Sequence, residues 1–234
     1  MVIHILDNIP VNLGREKIIE ILQLDHSGKQ IVEMVQELID VVMSTARPKA
    51  LYKVSYVDNK NGDTLDIDGI KFSSRVLCAN LNKVERVFPY IATCGTELDG
   101  VPSPSEDVLR DFCLDTIQTV VLGIAINYLA DYLKQKYILG QMSHMNPGSL
   151  EDWPITQQRE LFSLFGDVEG LIGVRLTQDY VIRPLKSSSG IYFPTEIRFE
   201  SCQLCPRENC IGRRAPYDSN LVRKYLGEDV VSQD

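Results

Sequence analysis

The chain has no block of basic residues and no long apolar run. Lys and Arg number 24 against 32 Asp and Glu in 234 residues, a formal net charge of −8. Nucleic acids are held by neutralising phosphates, so this balance argues against general nucleic-acid binding. An anionic membrane is an equally poor match. The longest apolar stretch, residues 120–126 (VVLGIAI), is about a third of the roughly 20 residues that cross a bilayer. The opening MVIHILDNIP has neither the basic start nor the apolar core of a secretory leader, which gives the expectation of a cytoplasmic protein. No phosphate loop of the G-x-G-x-x-G or G-x-x-x-x-G-K-[ST] type occurs. The three histidines, His4, His26 and His144, are far apart, and no catalytic triad is legible. Repeats, low-complexity tracts and Pro/Gly/Ser-rich linkers are also missing.

What is present is an ordinary globular composition, 44% hydrophobic and 24% charged, enough for one elaborated domain. A short strand is expected at residues 2–6, helices at 15–22 and 29–46, and a stop at Pro48. Asp25–Gly28 reads as a turn. Alternation over 51–57 and 64–72, joined by 58–63, predicts a hairpin, and 86–94 a buried strand. Ser103 as N-cap, Pro104 and Glu106 predict a helix start. That helix should reach about residue 137 and, being apolar all round in its middle, lie in the core. A strand or loop (138–146), a helix (155–165) and strands at 174–182 and 191–200 follow. Irregular alternation of strands and helices points to an α+β fold with a mainly antiparallel sheet and a long central helix. The expected divisions are a helical extension (1–46), a core (47–200) and a cysteine-bearing segment with a polar tail (201–234).

Three stretches carry chemistry. Residues 145–154 (MNPGSLEDWP) form an ordered Pro-Gly turn holding the sole tryptophan, Trp153, readable as a core plug or as part of a ligand loop. In residues 186–193 (KSSSGIYF), small hydroxyls and Gly190 allow a ligand close to backbone, and Tyr192 offers a stacking ring. The plainer reading is a strand start, with Tyr192 and Phe193 on opposite faces. The third stretch, SCQLCPRENC, spaces Cys202, Cys205 and Cys210 as C-x2-C-x4-C. Such thiols suit zinc, or one iron-sulfur cluster with a fourth ligand from Cys78, Cys94, His144 or an outside molecule. A metal-free C-x-x-C redox pair competes, and a disulfide staple does not fit a reducing compartment.

Taken in order, Ile91–Gly95, Pro147-Gly148, Asp152-Trp153-Pro154, Leu161-Phe162, Gly173–Thr177 and Ser187-x-Ser189-Gly190-x-Tyr192 resemble the activation (reactivation) domain of vitamin B12-dependent methionine synthase. The chain is similar to stand-alone members of that superfamily with a C-terminal cysteine pattern, over residues 45–218. The resemblance implies S-adenosylmethionine held by His144, Pro147, Gly148, Ser187, Ser189, Gly190, Tyr192 and Phe193. It also implies cobalamin supplied by a partner, a corrinoid protein or cobalamin-dependent methyltransferase, with little catalysis by this chain alone. The sequence departs from the family at three points: His144 stands where the family has an arginine, Ser149 where it has a tyrosine, and the loop has one extra residue before Trp153-Pro154. Two other readings are an electron-transfer or metal protein working through the cysteines, and a scaffold without a ligand.

Overall fold

The structure, a computed structural model, describes residues 2–24, 26–101, 107–210 and 212–227. Asp25, the Ser103–Pro104–Glu106 helix start, Ile211 and residues 228–234 lie outside the described residues. In chain order the elements are β1 (Ile3–Leu6), α1 (Arg15–Ile21), α2 (Lys29–Thr45), β2 (Lys49–Lys53) and β3 (Ser55–Asn61). Then come β4 (Thr64–Ile67), β5 (Ile70–Ser73), α3 (Arg75–Asn80), β6 (Arg86–Thr93), α4 (Val108–Tyr137) and β7 (Met142–Met145). The last are α5 (Gln158–Ser163), α6 (Val168–Ile172), β8 (Arg175–Leu176), β9 (Ile182–Arg183), β10 (Ser187–Pro194) and α7 (Ser219–Leu226).

Strand β6 is the centre of an eight-stranded sheet in which every pairing is antiparallel. On one edge it pairs with β2 and then β3, and on the other with β10, which in turn carries β7. Pro89 has no N–H for the ladder. Opposite it the partner strand is interrupted at Val54, yet the register is unchanged: Tyr52 faces Tyr90 before the break and Ser55 faces Val87 after it. The alternation of strand side chains then divides the interior. Leu51, Val87, Ile91, Ile191 and Phe193 face one core with Trp153, Leu161 and Phe162. Ala50, Tyr52, Phe88, Tyr90, Ala92 and Tyr192 face another with Ala125, Leu129 and Leu133 of α4. A third core joins α1, α2 and the first half of α4. The fold is therefore α+β, a single domain whose sheet is covered on both faces.

Helix α4 differs from the expected all-round core helix. By length and composition it could cross a membrane, but its buried residues form one stripe: Cys113 and Leu114, then Ile117, Val121, Ala125, Leu129 and Leu133 at steps of three to four. That stripe lies on the sheet and α2, while Phe112 and Tyr128 are exposed. Within the described residues Asp107 caps it, its side chain accepting the Arg110 N–H at 2.9 Å.

Three further expectations shift. The strand expected over 64–72 is two strands turning at Asp68 and Gly69, both at positive φ, as a two-residue hairpin with a Asp-Gly turn requires. The strand expected over 191–200 begins earlier, at Ser187, because β6 pairs with Ser187–Gly190, and ends at Pro194. The strand expected over 174–182 is only the short β8–β9 pair. At the far edge, Gln157 pairs with β5 as a strand would: its Oε1 accepts the Ser73 N–H at 3.0 Å and its Nε2 donates to Ser73 O at 2.8 Å.

One buried ion pair ties the hairpin to the sheet. Lys53 Nζ lies 2.9 Å from Asp68 Oδ2, with both side chains largely buried. Burial alone would raise the Asp68 carboxyl, but Lys53, the Ser55 hydroxyl and the Tyr56 N–H together hold it below its ordinary 3.8. The pair's contribution is thus complete above about pH 4 and is lost as acid titrates Asp68 through its lower folded value. Asp68→Asn, leaving Lys53 buried without its counter-charge, is expected to cost about 3 kcal/mol in urea unfolding at pH 7. That difference should shrink in unfolding measured at about pH 3.

Candidate functional site

Three of the predicted contact residues, His144, Gly190 and Tyr192, meet where β6, β10 and β7 run side by side. In this register Tyr192 faces Phe88 on one neighbour and His144 on the other, and Gly190 faces Tyr90. Side chains two apart share a face, so Ser188, Gly190 and Tyr192 point to the α4 side with His144 and Asn146. The rings of Tyr90 and Tyr192 lie 4.7 Å apart, and His144 and Tyr192 are 5.2 Å apart. Gly190 makes this contact possible. A Cβ there would lie 2.5 Å from both Asn146 Nδ2 and Met145 O, and 2.9 Å from the Tyr90 ring.

Asn146 is the polar hub of this floor, its Nδ2 donating to the Tyr90 hydroxyl (2.8 Å) and to Ser189 O (2.6 Å). The Tyr192 hydroxyl donates to Ile126 O of α4 at 3.4 Å. Burial raises both phenols, so neither ionises near neutrality. Pro147 is buried, and Gly148, at φ +83°, is exposed at the turn, where its N–H donates to Trp153 O at 2.7 Å. The loop is anchored below by Asp152, which accepts from the Ser74 hydroxyl, the Val76 N–H and Arg75. Trp153 is fully buried against Phe72, its Nε1 donating to Gln157 Oε1 at 3.2 Å. It is the core plug.

The structure does not bring all the predicted residues together. Ser187 and Ser189 sit on the opposite face, bonded to Thr93 Oγ1 (3.0 Å) and Gln158 Oε1 (3.4 Å). Phe193 is fully buried in the Trp153 core, on the other side of the sheet from Tyr192. The Tyr192 face instead holds four residues that sequence reading missed: Ser188, Asn146, Tyr90 and Arg214. Period-two spacing from Tyr192 selects Ser188, and from His144 selects Asn146. Nothing local marks Arg214, which arrives from the C-terminal segment.

Arg214 Nη1 lies 3.3 Å from His144 Nε2, and its Nε 3.3 Å from Glu200 Oε2. The buried Glu200 carboxylate is also held by Arg198, at 2.6 Å from Nη2 and 2.8 Å from Nε. Burial, then the Arg214 charge, pushes His144 down to about 4, against an opposing effect of Glu200. The ring is therefore neutral at pH 7, accepting from Arg214 on Nε2. Two guanidinium groups against one carboxylate leave this corner cationic.

The cysteines are arranged around a different centre. Arg213 donates to Cys202 O (3.1 Å), Cys205 O (3.1 Å), Ala215 O (3.2 Å) and Arg207 O. The segment thus folds about an internal cation. Cys202 and Cys205 are half-buried and Cys210 exposed, and all three are free thiols. Cys78 and Cys94 are buried in two other cores. Among the described residues no group of three or more His, Cys, Asp or Glu is placed to hold a metal ion. The expectation of zinc or an iron–sulfur cluster at Cys202, Cys205 and Cys210 thus finds no ligand set in the structure.

Gly190→Ala should destabilise the protein by about 2 kcal/mol or more in thermal or urea unfolding, because backbone and ring would have to move apart. Gly14→Ala, where the added Cβ meets nothing within 4 Å, is the control. An NMR titration should place His144 near 4 and move it upward in Arg214→Ala. Between about pH 4 and 6.5 the unfolded chain binds a proton at His144 that the folded chain refuses, so stability should rise with pH across that window.

No protein-family model and no curated protein matches this chain. Among solved structures it is similar to the MetH reactivation domain bound to AdoHcy, with a TM-score of 0.56 over 86% of this chain and 81% of that chain, at 14% identity. What the chain shares with that domain, at this identity, is its fold.

Proposed function

We propose that this protein is an accessory factor of corrinoid-dependent methyl transfer. It docks on a corrinoid protein or cobalamin-dependent methyltransferase and holds S-adenosylmethionine at the rim formed by His144, Asn146 and Arg214, which the buried Tyr90–Tyr192 pair supports. The observation that carries this reading is the convergence of His144, Gly190 and Tyr192 with Asn146 and Arg214. They meet at one place in a fold shared with a domain solved bound to AdoHcy. Bound there, S-adenosylmethionine supplies an electrophilic methyl group, and the partner's corrinoid is its acceptor.

The chain's own residues bind and orient. Tyr90 and Tyr192, buried beneath α4, support the site from below, while the half-buried His144, Ser188 and Asn146 at its rim and the exposed Gly148 on the adjoining turn meet the ligand. Neutral His144 cannot pair with a carboxylate, but the half-exposed Arg214 beside it can, through the planar fork that suits that group. With no assigned general base or nucleophile, the isolated chain is expected to hold its ligand without turnover.

Isothermal titration of S-adenosylmethionine, and then of a corrinoid protein from the same cell, tests the reading. Trp153 is too deeply buried to report directly. Micromolar binding is expected, with Tyr192→Ala and Arg214→Ala each weakening it at least about tenfold, or 1.4 kcal/mol. Failure of both titrations overturns the proposal. Docking of the corrinoid protein with no ligand bound would leave only a scaffold.

A further inference from the structure

We infer that Cys202 and Cys205 form a dithiol that exchanges with low-molecular-weight disulfides, and that its oxidation state is passed to Arg214. The turn Ser201–Leu204 is a 3-10 helix closed by Cys205 N–H donating to Cys202 O at 3.3 Å. Cys202 lies in that turn and Cys205 caps it (φ −93°, ψ 118°), so the backbone bond between them draws the two residues together. Ends of such a turn lie within about 7 Å, and a disulfide needs Cα atoms about 4.4–6.8 Å apart. The half-buried thiols are within reach of a small reagent. A capping box holds the turn in place: the Glu200 side chain accepts from the Gln203 N–H, and the Gln203 side chain accepts from the Glu200 N–H.

The same turn anchors Arg214. The Arg214 N–H donates to Cys202 Sγ at 3.5 Å, so charge developing on that sulfur during exchange meets a donor. The neighbouring Arg213 guanidinium grips the carbonyls of both cysteines. Glu200, which Arg214 holds at 3.3 Å, is the residue that caps the turn. Thiol chemistry and the His144 corner thus meet within residues 200–214.

The exchange balances with a disulfide R–S–S–R as oxidant. One protein thiolate attacks a sulfur of R–S–S–R, breaking its S–S bond and releasing RS−, which takes up the proton the thiol lost. The second protein thiol, deprotonated, attacks the mixed disulfide at the protein sulfur, forming the Cys202–Cys205 bond and releasing a second RSH. Two protein thiols give up two electrons and two protons, and R–S–S–R becomes two RSH. Once bonded, Cys202 Sγ points at Cys205 rather than at the Arg214 amide, and the hold on Arg214 loosens. The consequence for ligand binding rests on the function proposed above; the exchange itself does not.

The test treats the full chain with oxidised glutathione. Peptide mapping should show a Cys202–Cys205 crosslink in the protein and in Cys210→Ser, and in Cys205→Ser a mixed disulfide retained on Cys202. Limited trypsin digestion should cut after Arg213 and Arg214 about fivefold faster in the oxidised chain, since cleavage follows local opening. Affinity for S-adenosylmethionine should fall about tenfold, or 1.4 kcal/mol, on oxidation. Modification of Cys210 alone, or a crosslink joining Cys210, overturns the dithiol. A Cys202–Cys205 crosslink with unchanged tryptic rates overturns the transmission to Arg214. A crosslink and faster cleavage in a chain that binds no S-adenosylmethionine in either state would sustain this inference and sink the proposed function.

Discussion

Strand β6 is paired on both edges and covered on both faces, and every other part of the molecule is placed by that burial. Its residues from Val87 to Thr93 are all buried, so no position on it is free to drift by one residue: a slip would exchange the two cores. Through its pairing with β10 this register fixes which side chains stand beside Tyr192, and through β2 it fixes where Lys53 meets Asp68. Pro89 interrupts one ladder without shifting it. The candidate site is thus a by-product of a register set by the core.

Much of this frame was legible. Helix α2 and its stop before Pro48, the buried strand 86–94 and the end of α4 follow from periodicity and proline sterics. The misses have physical reasons. Asp68-Gly69 is a hairpin signal, and the apolar alternation changes phase across it, from Leu65 and Ile67 to Ile70 and Phe72, a one-residue shift that is hidden when 64–72 is taken as a single run. Ser187–Gly190 look like loop residues by composition, but pairing with β6 overrides a weak propensity. Helix α4 is apolar all round in sequence, while its contacts select one stripe.

The site was half legible, because motif reading treats neighbours in sequence as neighbours in space. On a strand it is every second residue that shares a surface, so Ser187, Ser189 and Phe193 fall on one side and Ser188, Gly190 and Tyr192 on the other. Arg214 comes to His144 across 70 residues, a contact that only the tertiary path of the last segment creates. The cysteine spacing advertised a metal; the loop's carbonyls converge instead on Arg213.

The amide of Gln157 has a bearing on solubility. Strand β5 ends one path of the sheet, and an end strand exposes unpaired backbone donors and acceptors that another chain's strand can use. By bonding both the N–H and the C=O of Ser73, Gln157 takes one such pair out of reach. A side chain here closes an edge that would otherwise invite growth, while leaving no strand of its own to be extended.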